Sequence, residues 1–494
     1  MRHEEQFDLI IIGAGAAGLI AADFALSLGA AVALIESDRV GGDCTWTGCV
    51  PSKSLLKAAS VAAAARQSAR YGILTGEPRT DMAAVREYVR ACIAHIYLPT
   101  APEQLRQRGL SVFTGAARFL DAHTLTVGER QLRARRFLIC TGAQPIRPAL
   151  PGLEAVPYLT HREIFDNDRL PRHLLVVGGG PLGCEIAQAY RRLGAAVTLI
   201  APSLLTRSEP QVCELLERVF AHEGIVRLPA RAVGFSGRPG KLRVHTSSGT
   251  ASGDMLLLAV GRAPHVQGLG LAAAGVHFGE QGITVDERLR TTARHIYAAG
   301  DVIGGAQYSH LAGWQGFRAV RQALLPHAPR FAARGRGRRA ERARSRMAAA
   351  GLSALAGLPQ VTFVQPEVAQ IGLSERAARE RFGAGVVAGE LPLQRVDRAV
   401  SEDDTLGLVK LIAGADGRLL GASVVGQRAG EVIAELSLAM AQHLRLSDLA
   451  AAIHPYPTYN SAVQLLATQM SLKQFMGGWR GRVVRRLSRL WLRA

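Results

Sequence analysis

The same pattern of strand, glycine turn, helix and strand occurs twice in this chain, and that duplication limits its fold more than any other feature. The first copy, FDLIIIGAGAAGLIAADFALSLGAAVALIES, sets Gly13, Gly15 and Gly18 in a GxGxxG turn and ends its second strand at Glu36. In such a unit the first glycine permits the tight turn and the second lets the backbone approach a pyrophosphate. The third lets the helix pack closely on the strand, and the helix N-terminal amides hold the phosphates. Glu36 lies 23 residues after Gly13, where a carboxylate accepts hydrogen bonds from a ribose. The second copy, LLVVGGGPLGCEIAQAYRRLGAAVTLIA, repeats the frame with Gly178, Gly180 and Gly183. Two nucleotide sites on two doubly wound α/β units are expected.

The copies differ at the acid. Counting the same 23 residues from Gly178 reaches Ala201, so no carboxylate stands there to bind a 2′-hydroxyl or repel a 2′-phosphate. Arg207, six residues further on, could pair with that phosphate, so NADPH is favoured over NADH. The other reading of Arg207 is one solvated arginine among many.

Directly after the first unit, GGDCTWTGCVPSK runs from Gly41 to Lys53 and holds Cys44 and Cys49. Thiolate is the reactive form of cysteine, and a helix N-terminus or a nearby lysine stabilises it. A structural disulfide or two core thiols is the alternative, but the position behind a dinucleotide unit points to redox chemistry. Cys92, Cys140, Cys184 and Cys213 stand singly in apolar or helical contexts and read as packing residues.

Two nucleotide units with a cysteine pair between them resemble the pyridine nucleotide-disulfide oxidoreductases, the family of glutathione reductase, lipoamide dehydrogenase and mercuric reductase. The resemblance extends through LICTGAQP (Leu138 to Pro145), LAVGRAPH (Leu258 to His265), IYAAGDVIGG (Ile296 to Gly305) and VTFVQPEVAQIGL (Val361 to Leu373). It implies two Rossmann-like doubly wound domains, one for FAD and one for NAD(P), plus a C-terminal α+β dimerisation domain. It also implies that Gly13, Gly15, Gly18, Glu36, Gly42, Thr141, Gly142 and Asp301 serve FAD. Gly178, Gly180, Gly183, Arg207, Gly261 and Arg262 then serve the nicotinamide nucleotide. Cys49 becomes the flavin-facing thiol that makes a charge-transfer contact in the reduced enzyme, and Cys44 the exchange thiol. Lys53 approaches the flavin and pairs with Glu185. The implied division is a FAD domain at 1–160, a nucleotide domain at 161–285, a return segment at 286–325 and a dimerisation domain at 359–476. A homodimer follows, because that domain places residues of one subunit over the cysteines of the other.

Charge has a local explanation. The net charge is +19, but residues 330–346 contribute +7 and residues 477–494 contribute +6, so 13 of the 19 charges sit in two segments and no nucleic-acid partner is expected. The first lies in a basic insertion, 326–358, read as an exposed connection. The second, GGWRGRVVRRLSRLWLRA, spaces Trp479, Val483, Leu487 and Leu490 or Trp491 as a basic amphipathic helix, suited to peripheral membrane contact or to packing on its own dimer. Six scattered cysteines and no spanning apolar run lead to a cytoplasmic enzyme, with a peripheral position at the inner membrane face as the tail's variant.

Disulfide reductases of this family end in His-Pro-Thr with a glutamate five residues after the histidine. Here AAIHPYPTYNSAVQ puts Tyr456 at the histidine position and Ser461 at the acid position, or, shifted, His454 with Tyr459 at the acid position. Neither register restores the dyad, and tyrosine there is similar to mercuric reductase. A soft metal ion such as Hg(II) would be held transiently by Cys44 and Cys49 and needs no proton delivered to a sulfur leaving group. The expected departures from mercuric reductases are a missing C-terminal cysteine pair, since no cysteine follows Cys213, and a missing N-terminal metal-binding domain. The alternatives are a disulfide or dihydrolipoamide oxidoreductase using His454 as base, and a membrane-docked NADPH-dependent donor to a quinone or protein partner.

Overall fold

The run Glu5–Ile12 forms strand β1, and its side chains alternate between two cores. Ile10 and Ile12 enter one with Leu125 and Phe137, while Leu9 and Ile11 enter the other with Ala21 and Ala25. Burial on both faces is what a parallel sheet covered by helices requires, and each such side chain stabilises the fold by about 1.5–3 kcal/mol. The computed structural model describes residues 5–325 and 357–491. They divide into two compact units, the first built from the chain up to Pro202 and again from Glu223, the second from Ser203–His222 and the C-terminal part.

In the first unit, β2 (Val32–Glu36), β3 (Ser111–Thr114), β4 (Ala117–Phe119), β5 (Thr124–Val127) and β6 (Arg130–Ile139) complete a sheet of order β3-β2-β1-β6-β5-β4. The long β6 pairs antiparallel with β5 through its first half and parallel with Ile296–Ala298 through its second. The returning chain thus delivers the AAGD turn to the first sheet. The helix that follows, Ser309–Leu324, lies close against Ala16–Ser27, because a Cβ on Gly316 would fall 2.3 Å from the Ala17 carbonyl oxygen.

A second parallel sheet has the order Val226–Leu228, Ala196–Ile200, His173–Val177, Met255–Leu258. Its glycine turn opens the helix Pro181–Leu193, with Pro181 at the first helical position, where a missing N–H is tolerated.

The second unit is α+β. Five antiparallel strands run in the order Gln360–Thr362, Glu367–Gly372, Leu419–Gly426, Leu408–Ala413, Val387–Pro392. The helices Ala429–Ala441 and Ser461–Gly477 share a core with that sheet, in which Leu391, Leu411, Val424, Leu436 and Leu466 are buried. The helix Pro210–His222, which falls inside the stretch 161–285, belongs to this unit. Glu209 just before it accepts a hydrogen bond from Glu375 N at 2.7 Å and pairs with Lys410. The expected basic insertion lies, from 326 to 356, outside the described residues. The tail is helical over Trp479–Trp491, and among the described residues no helix is long and apolar enough to cross a membrane.

Candidate functional site

Both glycine turns have the geometry of a phosphate cradle. A Cβ on Gly13 would fall 2.3 Å from the Cys140 carbonyl oxygen and one on Gly18 1.9 Å from that of Gly13, whereas one on Gly15 meets only Gly42 Cα, at 3.9 Å. Crowding therefore enforces the first and third glycines, and the second presents bare backbone to open space. The second copy behaves alike, with 2.2 Å at Gly178, 1.9 Å at Gly183 and nothing within 4 Å of Gly180. At the end of β2, Glu36 turns back onto the first turn and accepts from Ala14 N at 2.8 Å and Asp38 N at 2.9 Å. A carboxylate held there suits a ribose, and the residues present fit FAD at this turn.

The cysteines occupy two successive helices. Cys44 sits in the short helix Gly42–Trp46, and Cys49 is the first residue of Cys49–Gln67, where unsatisfied amides and the helix dipole favour a thiolate. A hydrogen bond from the Cys44 thiol is the largest influence on Cys49. Partial desolvation opposes it, but the Ser309 hydroxyl and the Lys53 charge add to it, and the Cys49 pKa falls to about 6. The same bond, with burial, pushes the Cys44 thiol well above its ordinary value. Ser309 Oγ lies 3.3 Å from Cys49 Sγ; no sequence motif marked it.

One turn after Cys49, Lys53 Nζ donates to Glu185 Oε2 at 2.8 Å, and the Glu185 side chain is only 5% exposed. Beside the short helix, Asp43 Oδ2 lies 3.7 Å from His161 Nε2. Burial would raise the Asp43 pKa, but His161, Arg162 and Arg262 together hold it below the usual carboxylate range. Asp301 is shifted upward by burial, which outweighs Arg262, whose Nη2 lies 3.1 Å from Asp301 Oδ2. Arg262 also donates to the Gln307 carbonyl. Thr141 Oγ1 donates to the His265 carbonyl at 2.7 Å, His265 N donates to the Gly142 carbonyl, and Ile146 N donates to that of Gly261. These bonds tie the segments together.

An open groove of about 390 Å³ runs past Cys49 between this helix and Met82–Tyr97, lined by Lys53, Lys57, Tyr88 and Cys92. Cys92 therefore departs from the packing role read from sequence. Cys140 and Cys184 are buried, whereas Cys213 is partly exposed.

At the second nucleotide turn, Ala201 is buried at the end of its strand. The Arg227 guanidinium, brought over by strand pairing, contacts the Ala201 carbonyl and donates to that of Leu228 at 2.8 Å. Arg207 is exposed on the segment counted with the second unit, where its carbonyl accepts from Gln370. Arg227 was not legible in the sequence, because only the sheet makes it a neighbour of Ala201.

In the second unit, Tyr456 is 74% exposed and donates to Asp397 Oδ2 at 2.6 Å, a bond that raises its pKa. His454 does have a carboxylate partner, supplied by Glu435 rather than by the residues after it. Nε2 lies 2.8 Å from Glu435 Oε1 and Nδ1 lies 3.1 Å from the Ala452 carbonyl oxygen. Asn460 holds the other Glu435 oxygen at 2.8 Å. Ser461 and Tyr459 bond elsewhere, to the Thr458 carbonyl and to Glu402. Among the described residues, no cluster of three or more His, Cys, Asp or Glu could hold a metal ion.

Residues 7–316 match the model of the pyridine nucleotide-disulphide oxidoreductases, and residues 358–467 match the dimerisation domain of that family. The chain is 36% identical to a mercuric reductase from Streptomyces lividans, over 93% of this chain and 95% of the relative. It is 32% identical to a dihydrolipoyl dehydrogenase from Thermus scotoductus, over 92% and 96%. Among solved structures it resembles LpdA from Mycobacterium tuberculosis, with TM-score 0.82, 26% identity and coverage of 94% and 99%. It also resembles a Cu(II) complex of the HOCl-induced flavoprotein disulfide reductase RclA from Escherichia coli, with TM-score 0.80, 26% identity and coverage of 93% and 99%. With both glycine turns, the cysteine pair and the dimerisation domain in place, the chain belongs to the pyridine nucleotide-disulphide oxidoreductases, as a mercuric-reductase-like, FAD-dependent enzyme that draws its electrons from NAD(P)H.

Proposed function

We propose that this protein is a homodimeric NADPH oxidoreductase that uses Cys44 and Cys49 to deliver two electrons to a soft metal ion such as Hg(II). The observation that carries this reading is the asymmetric cysteine pair, with Cys49 lowered to about pH 6 and its hydrogen bond supplied by Cys44. Gly13, Gly15, Gly18, Glu36, Gly42, Thr141, Gly142 and Asp301 would hold FAD, which when bound supplies the two-electron carrier between nicotinamide and thiols. Gly178, Gly180, Gly183, Gly261 and Arg262 would hold NADPH, with Arg207 or Arg227 at its 2′-phosphate. The overall reaction balances as NADPH plus Hg(II) giving NADP⁺, a proton and Hg(0), and the two thiols are regenerated in each cycle. No protonated leaving thiolate is produced, so an acid–base histidine is not required.

The C-terminal geometry supports this over disulfide reduction. Both ring nitrogens of His454 face acceptors, so protonating a substrate sulfur would require breaking one of those contacts. The disulfide or dihydrolipoamide reading is kept alive by the Glu435 partner, which gives His454 the carboxylate that its own segment lacks.

The test is NADPH oxidation by the FAD-loaded protein with Hg(II) in excess small thiol, compared with oxidised glutathione and lipoamide. The expected result is Hg(II)-dependent turnover that disappears in Cys44→Ser and survives in His454→Gln. Turnover with a disulfide that is lost in His454→Gln, without turnover of Hg(II), would reverse the assignment.

A further inference from the structure

We propose that the C-terminal helix Trp479–Trp491 docks this protein on an anionic phospholipid surface. The helix sorts its residues with one exception, Arg480, whose position falls inside the apolar arc. At about 100° per residue, Trp479, Val483, Val484, Leu487, Leu490 and Trp491 fall within an arc of roughly 140°, and Arg482, Arg485, Arg486 and Arg489 fall within a separate arc of roughly 100°. The apolar arc lies open to solvent, with Leu487 58%, Leu490 68% and Trp491 87% exposed. Arg482, Arg485, Arg486 and Arg489 are exposed as well. Large apolar side chains exposed along one side of a helix mark a contact surface rather than a solvated one.

The attachment of the helix is defined. Gly478 N donates to the Phe475 carbonyl at 3.2 Å, and Arg482 N donates to that of Gly478. A Cβ on Gly481 would fall 2.4 Å from Met476 Cα, so the tail leaves the helix Ser461–Gly477 through a close backbone crossing.

Charge decides the occupant. The last acidic residue of the chain is Asp448, and residues 477–494 hold six arginines. Two copies of this helix pairing face to face about a two-fold axis would bring arginine rows together, and the chain as a whole carries +19. A nucleic acid would satisfy the arginines and leave two tryptophans and two leucines in water. An anionic bilayer satisfies both arcs at once, with the apolar side chains in the acyl boundary and the guanidinium groups at the phosphates. Among the described residues no helix can cross a membrane, so the contact is peripheral.

The test is flotation of the full-length FAD-loaded protein with phosphatidylcholine vesicles, with and without about 30% phosphatidylglycerol, in parallel with a variant ending at Gly477 and with Leu487→Ser/Leu490→Ser. Expected are binding to the anionic vesicles that is about tenfold weaker on neutral ones, a further fall at high salt, and loss of binding in both variants. NADPH oxidation without lipid should be the same in all three proteins, which separates this proposal from the identity of the acceptor. Equal binding by the truncated protein, or binding indifferent to lipid charge, would overturn it. So would light scattering showing that truncation converts dimers to monomers, since the helix would then be a subunit contact.

Discussion

Ser309 Oγ lies 3.3 Å from Cys49 Sγ, a contact between residues 260 positions apart in which each begins its own helix. The hydroxyl can donate to the thiolate but has no comparable role toward a neutral thiol donor, so it favours the charged form. A charge-assisted hydrogen bond of about 1.5 kcal/mol corresponds to about one pH unit. Ser309→Ala should therefore move the midpoint for alkylation of Cys49 upward from about 6 by roughly that amount. Cys44→Ala should move it further, because the Cys44 bond is the larger influence. Iodoacetamide rates against pH, read on the Cys49 peptide to exclude Cys92, decide this. An unchanged midpoint in Ser309→Ala would remove the serine from the mechanism.

The Lys53–Glu185 pair is buried unequally, and its two halves should fail unequally. The Glu185 side chain is 5% exposed and the Lys53 side chain 36%. Lys53→Met leaves a carboxylate in the interior and should cost about 3 kcal/mol. Glu185→Gln leaves an ammonium that reaches water, and solvent screening reduces its cost to about 1–2 kcal/mol. Urea unfolding of the two variants should give that order; equal losses would mean that Glu185 is rescued by water.

Lys410 is 3% exposed and pairs with Glu375 at 2.8 Å, Glu390 at 3.2 Å and Glu209 at 3.5 Å. The Lys410 hydrogen bond is the first cause that holds Glu375 below its usual range. A carboxyl lowered by folding contributes stability that is complete above its unfolded value, about 4.3, and is lost as the pH falls through the folded value. Lys410→Met should cost about 3 kcal/mol at pH 7. In the variant the carboxylates repel one another, so acid relieves rather than removes an interaction. The gap between wild type and variant should narrow toward pH 4, measured by urea midpoints at both pH values; a gap that widens would show the cluster to be held by other partners.

Local requirements were legible and cross-chain ones were not. Gly13 and Gly178 announce themselves because a turn with φ near 102° or 124° excludes most other residues, and that demand is met within a few positions. The tail helix was legible by its period alone. Ser309, Glu435 and Arg227 carry no such mark. Each is an ordinary residue that reaches its partner through packing or strand pairing, across 260, 19 and 26 positions respectively. Cys92 misled for the same reason, since its helical context looks like core until a neighbouring helix leaves a groove beside it.

Arg227 bears on the choice of nucleotide. Parallel pairing sets Val226–Leu228 beside Ala196–Ile200, and the Arg227 guanidinium ends at the Ala201 carbonyl, the position where the first unit has Glu36. A cation in place of that carboxylate changes the preference from a ribose hydroxyl to a phosphate. Arg227→Met should lower kcat/KM for NADPH about tenfold, the equivalent of roughly 1.4 kcal/mol, and leave NADH nearly unchanged. The ratio of the two nucleotides cancels any general loss of folded protein. If Arg207→Met moves that ratio and Arg227→Met does not, the phosphate is read by Arg207, and the guanidinium at Ala201 only caps the end of the sheet.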